Sequence, residues 1–193
     1  MKKISVLIAL LLVTASAKAA VLLADPAHSS VGFEVKHLMI TNVPGQFTDF
    51  VGSIENGEKD LTKAKVTFTV KTASINTANK KRDDHLKSDD FFAVEKFPEA
   101  TFKSDKITKT GANKYKMIGD LTIHGTTKKA TFDVTALGKN KDPWGNEKHG
   151  FSAISKISRK EYGMGWNKAL ETGGVLVGDD VKLSVNLQAA EKK

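Results

Sequence analysis

Cysteine is missing from this chain altogether. Its absence excludes a thiolate nucleophile, a disulfide framework and a thiolate metal site, as well as lipid attachment through an N-terminal cysteine. Tyrosine and tryptophan are scarce, two of each, so ten of the fourteen aromatic residues are Phe. Phe rings carry no polar group that needs a partner. Beyond the N-terminus no apolar run approaches the ~20 residues of a membrane-spanning helix, so no stable membrane insertion is expected. No charge run of one sign stands out either. The formal charge of the 193 residues is +8, but basic residues are spread evenly and matched by acids, which speaks against nucleic acid as a partner.

The N-terminus itself reads as a processing signal. Lys2 and Lys3 supply the positive start, Ile4 to Ala15 an apolar stretch broken by Ser5 and Thr14, and Ala17-Lys18-Ala19 an A-x-A cleavage site. The expected division is a secretory signal over 1–19 and one domain over 20–193, free in a bacterial periplasm. An uncleaved membrane anchor is the rival reading. Cleavage would lower the formal charge to +5 by removing Lys2, Lys3 and Lys18.

Most of the remaining chain alternates apolar with polar residues. Val66, Phe68 and Val70 face one way, and Lys65, Thr67, Thr69 and Lys71 the other. The same beat returns at Val31/Phe33/Val35, Met117/Leu121/Ile123, Ala130/Phe132/Val134 and Val181/Leu183/Val185/Leu187. This is the pattern of half-buried strands. Strands are expected over about 28–37, 46–55, 64–72, 99–107, 114–124, 128–138, 149–159 and 175–188, with Gly119 or Gly178 supplying bends. One-faced strands in this number must close into a barrel or stack as a sandwich. A polar helix is expected over 78–91, capping one end and turning Leu86, Phe91 and Phe92 inward.

Six stretches occur in a familiar order. They are Ser30-Val31-Gly32-Phe33-Glu34-Val35-Lys36-His37-Leu38 with Gly45-Gln46-Phe47; Lys81-Arg82-Asp83-Asp84-His85-Leu86-Lys87-Ser88-Asp89-Asp90-Phe91-Phe92; Phe97-Pro98; Gly119-Asp120-Leu121-Thr122-Ile123-His124-Gly125; Asp142-Pro143-Trp144-Gly145 before Gly150-Phe151; and Glu171 through Val181. In this the chain resembles the YceI-like family of bacterial periplasmic proteins. Lys129, where the family often has proline, and Asp89, where a small residue is common, depart from the pattern. The resemblance implies an all-β fold: an extended, lipocalin-like antiparallel eight-stranded barrel with a short capping helix. It also implies a long apolar tunnel holding a polyisoprenoid or another long-chain amphiphilic lipid, with no catalysis and no cofactor.

The candidate tunnel lining is Phe33, Val35, Phe47, Phe68, Phe91, Phe92, Phe102, Ile123, Phe132 and Phe151. The bland reading of the same rings is a solid core in which they interlock. Arg82 and His85 share a helix face and are the candidate head-group contacts, since a guanidinium suits phosphate oxygens. Ordinary Arg–Asp pairing on a solvated helix is the alternative. No catalytic residue and no metal ligand is assigned. The five histidines lack ligand spacing, and no nucleophile elbow, phosphate loop or dinucleotide fingerprint occurs. A periplasmic hydrolase or metal-binding enzyme built from His85, Ser88 and Asp89 near the cap is the alternative function, and a stress-related interaction module with a filled core a third. A homodimer formed through exposed strand edges is possible.

Overall fold

The computed structural model describes residues 21–57, 60–171 and 173–191; the signal segment expected over 1–19 lies outside them. Among the described residues eleven strands follow one another: β1 (Val21–Ala24), β2 (Ser30–His37), β3 (Thr41–Phe47), β4 (Phe50–Glu55), β5 (Lys65–Lys71), β6 (Ile75–Asn76), β7 (Glu99–Lys109), β8 (Lys114–Ile123), β9 (Thr126–Lys141), β10 (Glu147–Ser158) and β11 (Val177–Glu191). The helix α1 (Lys80–Lys87) lies between β6 and β7.

Every pairing is antiparallel, and the β1–β11 pairing closes the sheet. β1 and β2 run successively along the same edge of β11, against its residues 189–191 and 177–186. β3 and β4 likewise run along β2 and β1. Counted this way the ring has eight staves: β1–β2, β3–β4, β5, β7, β8, β9, β10 and β11. Closure leaves few edges, which is how all-β chains avoid pairing with strangers. Part of β3 is such an edge: Thr41–Gly45 pairs only with β2, and Pro44 sits there, where a missing N–H is tolerated.

The alternation works as the sequence leads one to expect. In β8, Met117, Gly119, Leu121 and Ile123 are buried while Lys114, Lys116 and Ile118 face outward. The inward residues form two apolar clusters. One is built on Phe47, Phe102, Ile123, Phe132 and Tyr162, the other on Leu22, Ile54, Leu61, Phe151 and Ala189 at the opposite end.

A break in register lies at each of the two glycines expected to supply bends. Ser104 pairs with Gly119 and Lys106 with Ile118, leaving Asp105 as an extra residue. Val177 pairs with His37 and Val181 with Val35, so Gly178-Asp179-Asp180 oppose Lys36 alone. Such bulges bend the strand and unpair backbone groups.

Other expectations need correction. The strand expected over 46–55 starts at Thr41 and breaks at Thr48-Asp49. Four-residue β1 is too short for alternation to reveal. The helix has eight residues and is shorter at both ends than the span expected over 78–91. Ala78 sits at φ 58°, outside helical space, and Asn79 caps the helix by accepting from the Arg82 N–H at 3.1 Å. After Ser88 the chain continues as turns up to Pro98.

The β2–β3 turn breaks a local rule. Leu38 and Met39 have φ of 52° and 61°, positions that Asn and Gly take at little cost. For residues with larger side chains the left-handed region costs roughly 1–2 kcal/mol each.

Candidate functional site: an apolar cavity with one buried cation

A cavity of about 220 Å³ runs along the barrel interior. At one end it is bounded by Ile54, Leu61, Phe151 and Leu187, and at the other by Leu86, Phe91, Met164, Val177 and Arg159. Phe151 and Ile157 both border it from one strand; six residues of strand span roughly 20 Å. The space is therefore long and narrow. All ten residues expected on the lining border it: Phe33, Val35, Phe47, Phe68, Phe91, Phe92, Phe102, Ile123, Phe132 and Phe151.

The rings do pair with one another, as the packed-core reading had it. Phe102 and Phe132 meet at 5.0 Å, Phe47 and Phe92 at 5.6 Å, and Phe50 stacks on Phe68 at 5.7 Å. They nevertheless leave the bore open, and glycine explains how. Phe68 and Gly52 are register partners on β5 and β4, and Phe33 and Gly45 on β2 and β3. A Cβ at Gly52 would lie 2.3 Å from the Phe68 ring, and one at Gly45 2.2 Å from the Phe33 ring. Each ring lies flat across the bare backbone of its neighbour, against the wall and away from the axis. Gly119 serves Phe102 in the same way, at 2.6 Å. Gly52→Ala is therefore expected to tip Phe68 into the bore. Overpacking of this kind costs ~1–3 kcal/mol, which differential scanning calorimetry would register as a lowered Tm.

Arg82 and His85 are placed differently from the expectation, and neither borders the cavity. The Arg82 guanidinium is spent on residue Thr77, donating from Nε to Oγ1 at 2.7 Å and from Nη2 to the carbonyl at 2.8 Å. The His85 Nε2 lies 2.8 Å from Asp90 Oδ2, and its ring stands edge-on to Phe91 and Trp166 at 5.1 and 4.7 Å. These contacts pin α1 to the barrel end. Ser88 caps the helix terminus and Asp89 pairs with Lys96, so His85, Ser88 and Asp89 share no hydrogen bond of a catalytic relay. Trp144, at the β9–β10 turn, is exposed; Trp166 packs against Phe91 at 5.3 Å.

The cation at the cavity is Arg159, 3% exposed and the one charged residue among those lining it. It follows β10 directly and reaches across to the bulge at the start of β11. Its Nε donates to the Gly178 carbonyl at 2.9 Å, and Nη1 to the carbonyls of Met164 and Trp166 at 2.6 and 2.8 Å. The bulge frees the Gly178 carbonyl from the ladder, and the guanidinium takes it up. Nη2 is held more loosely, with Val177 O and Asp179 Oδ1 both at 3.4 Å. Asp179 also pairs with Lys160 at 2.8 Å, so its charge is shared. Burial pushes the Arg159 guanidinium below its ordinary value, and Asp179 works against that. Sequence patterning did not single this residue out, although Arg159 ends the strand expected over 149–159 on the inward parity of Phe151, Ala153 and Ile157. A charged residue at the end of a strand reads as solvated, and that default outweighs the parity.

A closed antiparallel barrel around an elongated apolar cavity defines a lipocalin-type binding fold. The profile of the YceI-like domain matches residues 23–189, and the chain belongs to that family. A UPF0312 protein of Staphylococcus aureus (strain N315) is 42% identical over 165 residues, covering 85% of this chain and 94% of that protein. Among solved structures, the Campylobacter jejuni YCEI protein is 39% identical, with a TM-score of 0.70 over 88% of this chain and 96% of that one. A polyisoprenoid binding domain from Saccharophagus degradans shares the fold at 14% identity, with a TM-score of 0.63 over 91% of this chain and all of that one. No helix among the described residues is long and apolar enough to cross a membrane.

Proposed function

We propose that this protein is a periplasmic carrier of a long-chain isoprenoid or similar amphiphilic lipid, held without bond-breaking in the barrel cavity. One observation carries the reading. The cavity wall is apolar from Leu61 to Phe91, and its single charge, Arg159, stands at one end. An apolar chain gains about 0.8 kcal/mol for each methylene taken from water. Ten buried methylenes thus supply ~8 kcal/mol, enough to offset much of the ~4–15 kcal/mol cost of association. The Saccharophagus degradans domain, by its description a polyisoprenoid binder, supports the same class of ligand.

Arg159 gives the ligand a direction. Its Nη2 N–H groups, loosely held at 3.4 Å, are the donors left for a hydroxyl, carbonyl or phosphate oxygen at the polar end of the lipid. That assigns the head-group role to Arg159 in place of Arg82 and His85. The test is a titration of delipidated protein with a fluorescent polyprenol. The proposal expects saturable one-to-one binding that an unlabelled polyprenol displaces. Absence of displacement would overturn it.

A further inference from the structure

The turn between β2 and β3 presents Leu38, Met39 and Ile40 to solvent, 37, 48 and 78% exposed. They are consecutive, and the first two are held at positive φ, where large side chains sit against their local preference. Natural chains retain such strain where the surrounding structure and a function keep it in place. Its position is informative. The Leu38 N–H donates to the Leu176 carbonyl at 2.8 Å, and His37 pairs with Val177, which lines the cavity. The tip therefore stands at the Arg159 end of the bore.

A second small hairpin lies beside it. Ala169 bridges Val175, and the Leu176 N–H donates to the Lys168 carbonyl at 2.9 Å. Lys168 and Lys36 are both exposed on this side, and neither makes an ion pair among the described residues. Glu34, Asp179 and Asp180 border the same surface as Met39, but Glu34 accepts from Asn42, Asp179 pairs with Lys160 and Asp180 with Lys156. With these acids engaged, an aliphatic tip beside unpaired ammonium groups matches a lipid surface: side chains enter the acyl region, and lysines meet phosphate. A folded protein partner is a poorer match. The tip is a protruding turn without aromatic or Arg anchors, and a stable interface buries ~800 Å² on each side.

We infer that the Leu38-Met39-Ile40 tip is a membrane-docking element that seats the Arg159 end of the barrel on a phospholipid bilayer. The lipid then passes between bilayer and cavity without crossing water. The docking itself stands on the tip; the transfer step rests on the carrier function proposed above.

The experiment separates the two. Leu38→Asn, Met39→Gly and Ile40→Ser combined remove the apolar tip and place turn-compatible residues at the positive-φ positions, so the variant is expected to fold with an equal or higher Tm. Vesicles of phosphatidylethanolamine with a minority of phosphatidylglycerol, carrying no isoprenoid, are floated with each protein. The unaltered chain should float with them. The variant should lose at least about tenfold in partitioning, the equivalent of one aliphatic side chain no longer buried. Equal flotation of both proteins, or of neither, would overturn the docking role. So would concentration-dependent dimerisation that the variant abolishes without any vesicle binding. A second arm measures transfer of a fluorescent polyprenol from the same vesicles. Slower transfer with unchanged binding of polyprenol supplied in detergent supports docking. Loss of binding in detergent as well would mean that the substitutions damage the cavity, and would overturn the tip's separate role.

Discussion

Ala153→Trp is expected to weaken polyprenol binding more than a hundredfold in a protein that still folds. Ala153 lies in the middle of β10, paired with Val134 on one side and Val185 on the other, and all three line the cavity. An indole at this position fills the bore at half its length. A chain stopped there leaves the rest of its length in water. Four methylenes denied to the cavity forfeit ~3 kcal/mol, or more than a hundredfold in affinity. The new ring enters existing space, so its effect on stability should fall at the low end of the ~1–3 kcal/mol typical of overpacking. Fluorescence titration and thermal unfolding of the same sample read the two effects separately. Unchanged affinity in a folded variant would place the ligand outside the bore.

The second large effect is expected at Arg159. Replacing it with Met keeps the aliphatic stem and removes every donor. The carbonyls of Gly178, Met164 and Trp166 then lose the guanidinium N–H groups that serve them. A buried acceptor left without a partner costs ~1–3 kcal/mol, so a total of about 3 kcal/mol or more is expected. For a chain of this size that lowers Tm by roughly 6–12 °C. Arg159→Lys separates structure from recognition. It keeps a positive charge at the cavity end but cannot serve three carbonyls and a ligand oxygen at once. Its Tm should fall between those of the parent and Arg159→Met. Its affinity for a prenyl phosphate should drop more than its affinity for a saturated hydrocarbon chain. Equal losses for both ligands would leave Arg159 as a strut between β10 and β11 with no part in recognition.

How much of this was legible beforehand differs by element. The barrel was, because period-two alternation survives in strands as long as β8 and β11, and six motifs in one order fixed the family resemblance. The cavity lining was legible for the same reason: inward positions follow from the pleat. What alternation does not carry is depth. Phe68 reads alike whether it interlocks with its neighbours or lies flat, and only its register partner Gly52 decides between them. Pairing of Phe with Gly across a hairpin could have been noticed in Phe33 and Gly45, since the β2–β3 turn is short.

The charged residues singled out in the sequence and the one that borders the cavity differ for another reason. Arg82 looked suited to a ligand because helix spacing put it beside His85. Spacing gave no hint that Thr77 folds back to claim the guanidinium, at 2.7 and 2.8 Å. Arg159 was passed over because its role depends on a bulge, Gly178-Asp179-Asp180, in a strand distant in sequence. Long-range irregularities of this kind have no local signature.

The central claim is that the interior is hollow and takes up a lipid chain. Native mass spectrometry of the protein purified from its own cells, without detergent, tests it most directly. The account predicts a discrete mass above that of the polypeptide, released by organic solvent as an apolar lipid and regained when the stripped protein meets a polyprenol. A bare polypeptide mass before and after exposure to polyprenol would contradict it.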